Sequence, residues 1–168
     1  MPSIHRILEK DHGETLKKLD AFDDVLKRLR YEGKASLGRN VRDANELVGY
    51  FERTLLGHMK EEERVLFPFM RKRIPRLEPL ICLLLSEHDD LRQKLRRLRS
   101  TLKSCGRAST PRAVGLLDAV CHDGTFLICL LHSHMSVETG TLYKAADRTL
   151  RPFEKEMLLR RIGEYAVS

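Results

Sequence analysis

The sequence predicts an all-α fold, an up-down-up-down four-helix bundle with a short C-terminal fifth helix. Three observations carry that prediction. Apolar residues recur at the three- and four-residue spacing of a buried helix face through four long segments. No apolar–polar alternation runs long enough for a strand. The connections between segments are short and marked by Gly and Pro, as in bundles whose neighbours are antiparallel. Composition agrees: 42% of residues are apolar, 33% charged and 6% aromatic, which excludes collagen-like, low-complexity and disordered chains. The 168 residues suit one domain, with the bundle spanning about 3–150.

The first helix is predicted from about Ser3, a good N-cap, to Arg30. Its stripe is Ile4, Leu8, Leu16, Leu19, Phe22, Leu26 and Leu29. Gly33 to Gly38 reads as a loop. The second helix covers about Arg42 to Arg73, with Leu47, Phe51, Leu55, Leu66 and Phe69 inward. Pro68 should kink it or end its regular hydrogen bonding, because proline lacks an N–H and crowds the preceding turn. Pro75 and Pro79 bracket the next connection. The third helix, about Pro79 to Lys103, has the clearest heptad: Ile81, Leu84, His88, Leu91, Leu95, Leu98 and Leu102. After the loop from Gly106 to Pro111, Thr110 is an N-cap and Pro111 suits the first helical position. The fourth helix extends to about Leu150, its stripe being Val120, Gly124, Leu127, Leu131, His134, Glu138, Thr141 and Ala145. A fifth, from about Pro152 to Tyr165, carries Phe153, Met157, Leu158 and Ile162.

Charges interrupt the N-terminal residues, so no signal-peptide apolar region is seen. The strongly apolar runs Leu80–Leu85 and Phe126–Leu131 are far shorter than the roughly 20 residues that span a bilayer. A cytoplasmic protein without membrane insertion is expected. Of the four cysteines, no pair has CxxC spacing, which argues against a zinc knuckle or a thioredoxin-type motif. Free thiols are expected, with Cys82, Cys121 and Cys129 as small core residues. The net charge of +7 raises nucleic acid as a partner. However, the cations of the third helix interleave with Leu91, Leu95 and Leu98, as on any solvated face, and no helix-turn-helix or aromatic platform is present. Nucleic acid is therefore not expected, and docking to an acidic protein partner is equally compatible with the charge.

The inward stripes are broken by polar residues, and burying a polar group without a partner is costly. The breaks are His12 on the first helix, His58 and Glu62 on the second, His88 on the third, and His134 and Glu138 on the fourth. The i, i+4 spacing stacks each His/Glu pair on one face. His12 and His88 each lie about nine residues into their helices, roughly 13 Å from one end at 1.5 Å per residue. The two His/Glu pairs lie at a matching distance before the ends of the second and fourth helices. In an up-down-up-down bundle all six therefore meet at one level. Imidazole and carboxylate together favour iron, manganese or zinc over calcium or magnesium. The carboxylates Glu62 and Glu138 can each bridge two ions while the four histidines fill terminal positions. Six side chains do not saturate two octahedral ions, so a place remains for a small ligand. His5 falls on the His12 face as a supporting residue. His122 and His132 turn away and read as structural or exposed, and Glu61 and Glu63 as a solvated face.

These segments resemble the hemerythrin-like, or HHE cation-binding, domains. The family pattern is a lone His, HxxxE, a lone His and HxxxE on successive helices. It matches Lys10-Asp11-His12, the string from His58 to Pro68 with its Glu61-Glu62 and Leu66-Phe67-Pro68, Glu87-His88-Asp89, and His134 to Glu138. The resemblance implies a non-haem di-iron centre bridged by Glu62, Glu138 and a solvent-derived oxygen, with zinc or manganese able to substitute. It also implies an oxygen, peroxide or nitric-oxide ligand in redox, stress or sensing roles, including peroxide decomposition. The second role it implies is an iron-responsive module whose metal loading controls a protein partner. No nucleophilic or hydrolytic residue set is visible. The oxygen-carrying hemerythrins have HxxxH on the third helix, where this chain has Arg92 four residues after His88. Their fourth helix has Asp five residues after His, whereas here Glu138 follows His134 by four. A reactive or sensory site is thus implied in preference to reversible oxygen carriage, with Glu61 or Tyr50 as candidates for the missing ligand.

Overall fold

The computed structural model describes the backbone of residues 4–106 and 110–167. Ser3 and the side chains of His5, Thr110 and Pro111 lie outside the described residues. Those described are all-helical, without a strand. The α-helices are α1 (Ile4–Tyr31), α2 (Leu37–Glu61), α3 (Phe67–Arg73), α4 (Glu78–Cys105), α5 (Thr110–Val137), α6 (Lys144–Thr149) and α7 (Pro152–Val167). α1 packs on α2 and α5, and α4 packs on the same two, which closes a ring of four.

Two boundaries differ from expectation. α2 begins at Leu37, after a 3-10 turn at Lys34–Ser36, so Gly38 sits in its first turn and does not break it. The second and fourth predicted helices are continuous, but each passes through a π-helical turn, Glu62–Leu66 between α2 and α3 and Glu138–Tyr143 between α5 and α6. Pro68 follows the first of these directly. In a straight α-helix its ring would collide with the carbonyl of Arg64; the wider turn relieves that clash without ending the helix.

A π turn takes up one extra residue and shifts the inward face by one. Thr141 is therefore exposed and Ala145 only half-buried, while Leu142, Tyr143 and Ala146 are buried. Likewise Phe67 and Met70 join Leu66 and Phe69 inside. Every member of the predicted α4 heptad is buried. Cys82 and Cys129 are exposed, contrary to expectation, whereas Cys105 and Cys121 are buried. An apolar run on a helix still presents every face in turn, and Ile81, Leu84, Leu127 and Leu131 take the inward places.

The core is in two parts. One holds Leu19, Phe22, Phe51, Leu55, Met59, Leu91, Leu95, Leu127, Leu131 and their neighbours. The other holds Leu8, Leu66, Phe67, Met70, Leu84, Leu142 and Tyr143, and is capped by Leu158 of α7. Along α1 and α4 the second cluster comes first; from α2 into α3 and from α5 into α6 the order reverses. His12, His58, Glu62, His88, His134 and Glu138 lie where the two clusters meet on all four helices.

The helix over Arg112–Thr149 is, by length and composition alone, long and apolar enough to cross a membrane; its most apolar window has a mean hydropathy of 1.7. It also carries the buried Asp123, His134 and Glu138 and packs on α1 and α4.

Candidate metal centre

Among the described residues, the buried Asp123 and Asn40 outside this layer are paired. Asp123 receives Lys94 at 3.1 Å and Arg97 at 2.7 Å, and Asn40 links Arg28 to Glu32. The layer between the two clusters behaves differently. Glu138 is fully buried, with Oε2 3.3 Å from Nε2 of His12 and Oε1 3.1 Å from Nε2 of His134. Glu62 repeats this, with Oε1 3.4 Å from Nε2 of His58 and Oε2 3.4 Å from Nε2 of His88. Despite these approaches, both oxygens of Glu138 and Oε2 of Glu62 accept no hydrogen bond. Leaving a buried carboxylate oxygen unbonded is expensive unless something else completes it.

The imidazoles converge in the same way. His12 and His58 face each other through their Nε2 atoms at 3.3 Å, and His88 and His134 through theirs at 3.1 Å. The outer nitrogens are engaged. His88 Nδ1 donates to Glu63 at 2.8 Å and His134 Nδ1 to Glu87 at 2.7 Å. His12 Nδ1 meets the hydroxyl of Thr139 at 3.2 Å. A carboxylate can only accept, so these bonds put a proton on Nδ1 of His88 and His134 and turn Nε2 inward, where its lone pair would serve a metal once any proton there has left. Two donor groups result: Glu62, His88, His134 and Glu138 in one, and His12, His58 and Glu138 in the other, each with its ligand atoms within 4.8 Å. Glu138 belongs to both, and Glu62 reaches across in parallel. This nitrogen and oxygen donor set fits transition-metal ions, and an ion in each group would satisfy the orphaned oxygens.

Charge follows from the same contacts. Burial opposes a charged His134, but the facing Glu138, the bonded Glu87 and the nearby Glu62 outweigh it and raise its pKa to about 9. Burial alone would push Glu138 up, yet the His12 and His134 imidazoles hold it well below the usual carboxylate range. Burial also works against the Glu63 carboxylate, and Arg92 and His88 overcome it and lower its pKa.

All six side chains singled out in the sequence are thus brought together. His122 and His132 are exposed. Tyr50 packs its ring on Phe51, its hydroxyl buried without a hydrogen-bond partner, and Glu61 belongs to neither donor group. Glu63 corrects an expectation: it is no part of a solvated face, because the π turn after Glu62 brings it to His88. Arg92, standing where a histidine was missing, holds Glu63 at 2.6 Å. Sequence reasoning also missed Glu87, Thr139 and Tyr143. The Tyr143 hydroxyl donates to Glu62 Oε1 at 3.0 Å and lies 3.3 Å from His12 Nε2. The one available signal was adjacency, since Glu63 follows Glu62 and Glu87 precedes His88. Between α1 and α5 a cavity of about 390 Å³ reaches His12, lined by Gly13, Leu16, Met135, Thr139 and Gly140 among others.

The sequence profile of the hemerythrin HHE cation binding domain matches residues 3–146. A helical bundle with a buried His/Glu layer defines the class, and the match shows that the chain belongs to the hemerythrin HHE family. No curated protein sequence matches it significantly.

Proposed function

We propose that the chain holds two iron ions in the polar layer of an up-down-up-down bundle and there binds or reacts with oxygen, peroxide or nitric oxide in a redox, stress or sensing role. The reversed order of the two core clusters from α2 into α3 and from α5 into α6 supports that topology. The observation that carries the metal assignment is Glu138, whose two unbonded oxygens face histidines of opposite donor groups. His12 and His58 would hold one ion and His88 and His134 the other, with Glu62 and Glu138 spanning both. Iron placed there supplies a one-electron couple and an open coordination place; manganese or zinc would fit the same donors without the same redox chemistry.

The chain's own residues set the conditions. Glu63 and Glu87 orient their imidazoles. Leu55, Met59 and Leu66, all buried, make the flanks of the layer apolar. The cavity between α1 and α5 gives a small uncharged molecule a way to His12. Metal analysis of aerobically purified protein, with a near-ultraviolet spectrum, tests the assignment. A pair of irons per chain supports it, and a folded chain indifferent to iron overturns it. Replacing both Glu62 and Glu138 by Ala should abolish the binding; unchanged stoichiometry would show the bridges to be misassigned.

A second reading, an iron-responsive module acting on an acidic protein partner, draws on one observation. The π turn that begins at Glu62 also contributes Arg64 and Val65 to a groove of about 530 Å³ that includes Phe69, Lys72, Arg73 and Arg161. If metal loading acts on that groove, backbone hydrogen exchange in α3 and α7 should slow on iron binding, whereas a reactive site alone leaves it unchanged.

A further inference from the structure

The two halves of the layer repeat one another. From α2 through its turn to the start of α3 the chain carries His58, Glu62 and, five residues beyond the carboxylate, Phe67; α5 and its turn carry His134, Glu138 and Tyr143. Each π turn begins at the carboxylate. Widening the turn by one residue is what keeps the ring five positions on over the same face. Each ring then stacks on the lone histidine of another helix. Phe67 lies on His88 with centroids 5.5 Å apart and planes at 25°, and Tyr143 lies on His12 at 5.6 Å and 28°.

One oxygen breaks the repetition. Phe67 ends in carbon, whereas the fully buried Tyr143 ends in a hydroxyl 3.0 Å from Glu62 Oε1 and 3.3 Å from His12 Nε2. Packing does not require that hydroxyl, since phenylalanine serves the same stacking role at position 67. The hydroxyl enters the polar layer and points at the atoms that converge from His12, His58 and Glu62.

We infer that Tyr143 is a metal donor at the position held by His12 and His58, and that this one phenol makes the two metal positions inequivalent. That position has His12, His58, Glu62 Oε1, Glu138 Oε2 and Tyr143 Oη, while the other has His88, His134, Glu62 Oε2 and Glu138 Oε1. On coordination the phenol proton passes to solvent, as protons on other ligands do when a metal binds. A phenol oxygen is a hard donor and favours the oxidised ion, so the site carries a built-in direction between its two irons. The inference rests on the dinuclear reading above.

The test is to load the intact chain with iron in air and record iron content, visible absorption and resonance Raman spectra. The wild type should show a phenolate-to-iron charge-transfer band with enhanced tyrosine ring vibrations. Tyr143→Phe should keep the iron pair, because His12, His58 and both carboxylates remain, and lose the band completely. Tyr50→Phe should keep both. The volume-conserving double variant Phe67→Tyr, Tyr143→Phe should regain a phenolate band, now at the His88 position. A wild-type iron pair without the band, or a band that survives Tyr143→Phe, overturns the inference and leaves the dinuclear reading standing. A chain that takes up no iron overturns both.

Discussion

Glu138 and His134 are held in opposite directions by the same contact, which makes the metal-free protein sensitive to pH. The folded pKa of His134, about 9, lies above its ordinary value of 6.5. Its contribution to stability is therefore complete below about 6.5 and is lost as pH rises through about 9. Glu138 is held below its ordinary value of 4.5, so its contribution is present above 4.5 and is lost in acid. The melting temperature of the metal-free protein should peak between these limits and fall from pH 6.5 to 9, as thermal scans across that range would show. Metal affinity should run the other way and rise with pH, because the ion must displace the proton from His134. The supporting carboxylates have their own signature. Glu87→Gln and Glu63→Gln should each weaken metal binding by about 10- to 100-fold in a chelator competition while the helical circular dichroism stays intact. Loss of less than a factor of two would show that these residues merely neighbour the histidines.

At the scale of elements, the close approach of α5 to α1 is set at Gly124, where an added Cβ would come within 2.6 Å of the buried Leu26 side chain. Gly124→Ala gains about 1 kcal/mol of helix propensity but overpacks the contact by roughly 1–3 kcal/mol, so the variant should melt lower than the wild type. Gly13 is the opposite case, with nothing within 4 Å of an added Cβ. Gly13→Leu should be neutral or stabilising and keep its iron, yet slow nitric-oxide binding in stopped flow by narrowing the cavity beside His12. An unchanged association rate would remove that cavity as the route in. The helices, the α4 heptad and the six layer residues were legible in the sequence because periodicity reports which face is buried. The π turns were not, since one extra residue in a turn leaves the composition untouched, and so the stripe after Glu138 was read one position early. Glu63, Glu87 and Tyr143 were hidden for a related reason. Each meets its partner on another helix, and only the assembled bundle shows which neighbours of a layer residue turn inward.

For the molecule as a whole, a ligand bound only to the folded state stabilises it by mass action. At iron about 100-fold above its dissociation constant the gain is about 2.7 kcal/mol, or roughly 5–10 °C in melting temperature for a chain of this size. Calorimetry with and without a chelator measures it, and equal melting temperatures would argue against a site formed by folding. The division of the core has a further consequence. Two hydrocarbon clusters separated by a layer of charge are two candidates for independent opening, joined by the weakest cross-section of the bundle. Without the ions, the end that holds Leu8, Met70, Leu84 and Leu142 can come apart while the Phe22–Phe51 end persists, so unfolding splits into two steps. Metal ions held by side chains from all four helices would rivet the halves together, and the chain should then melt as a single cooperative unit.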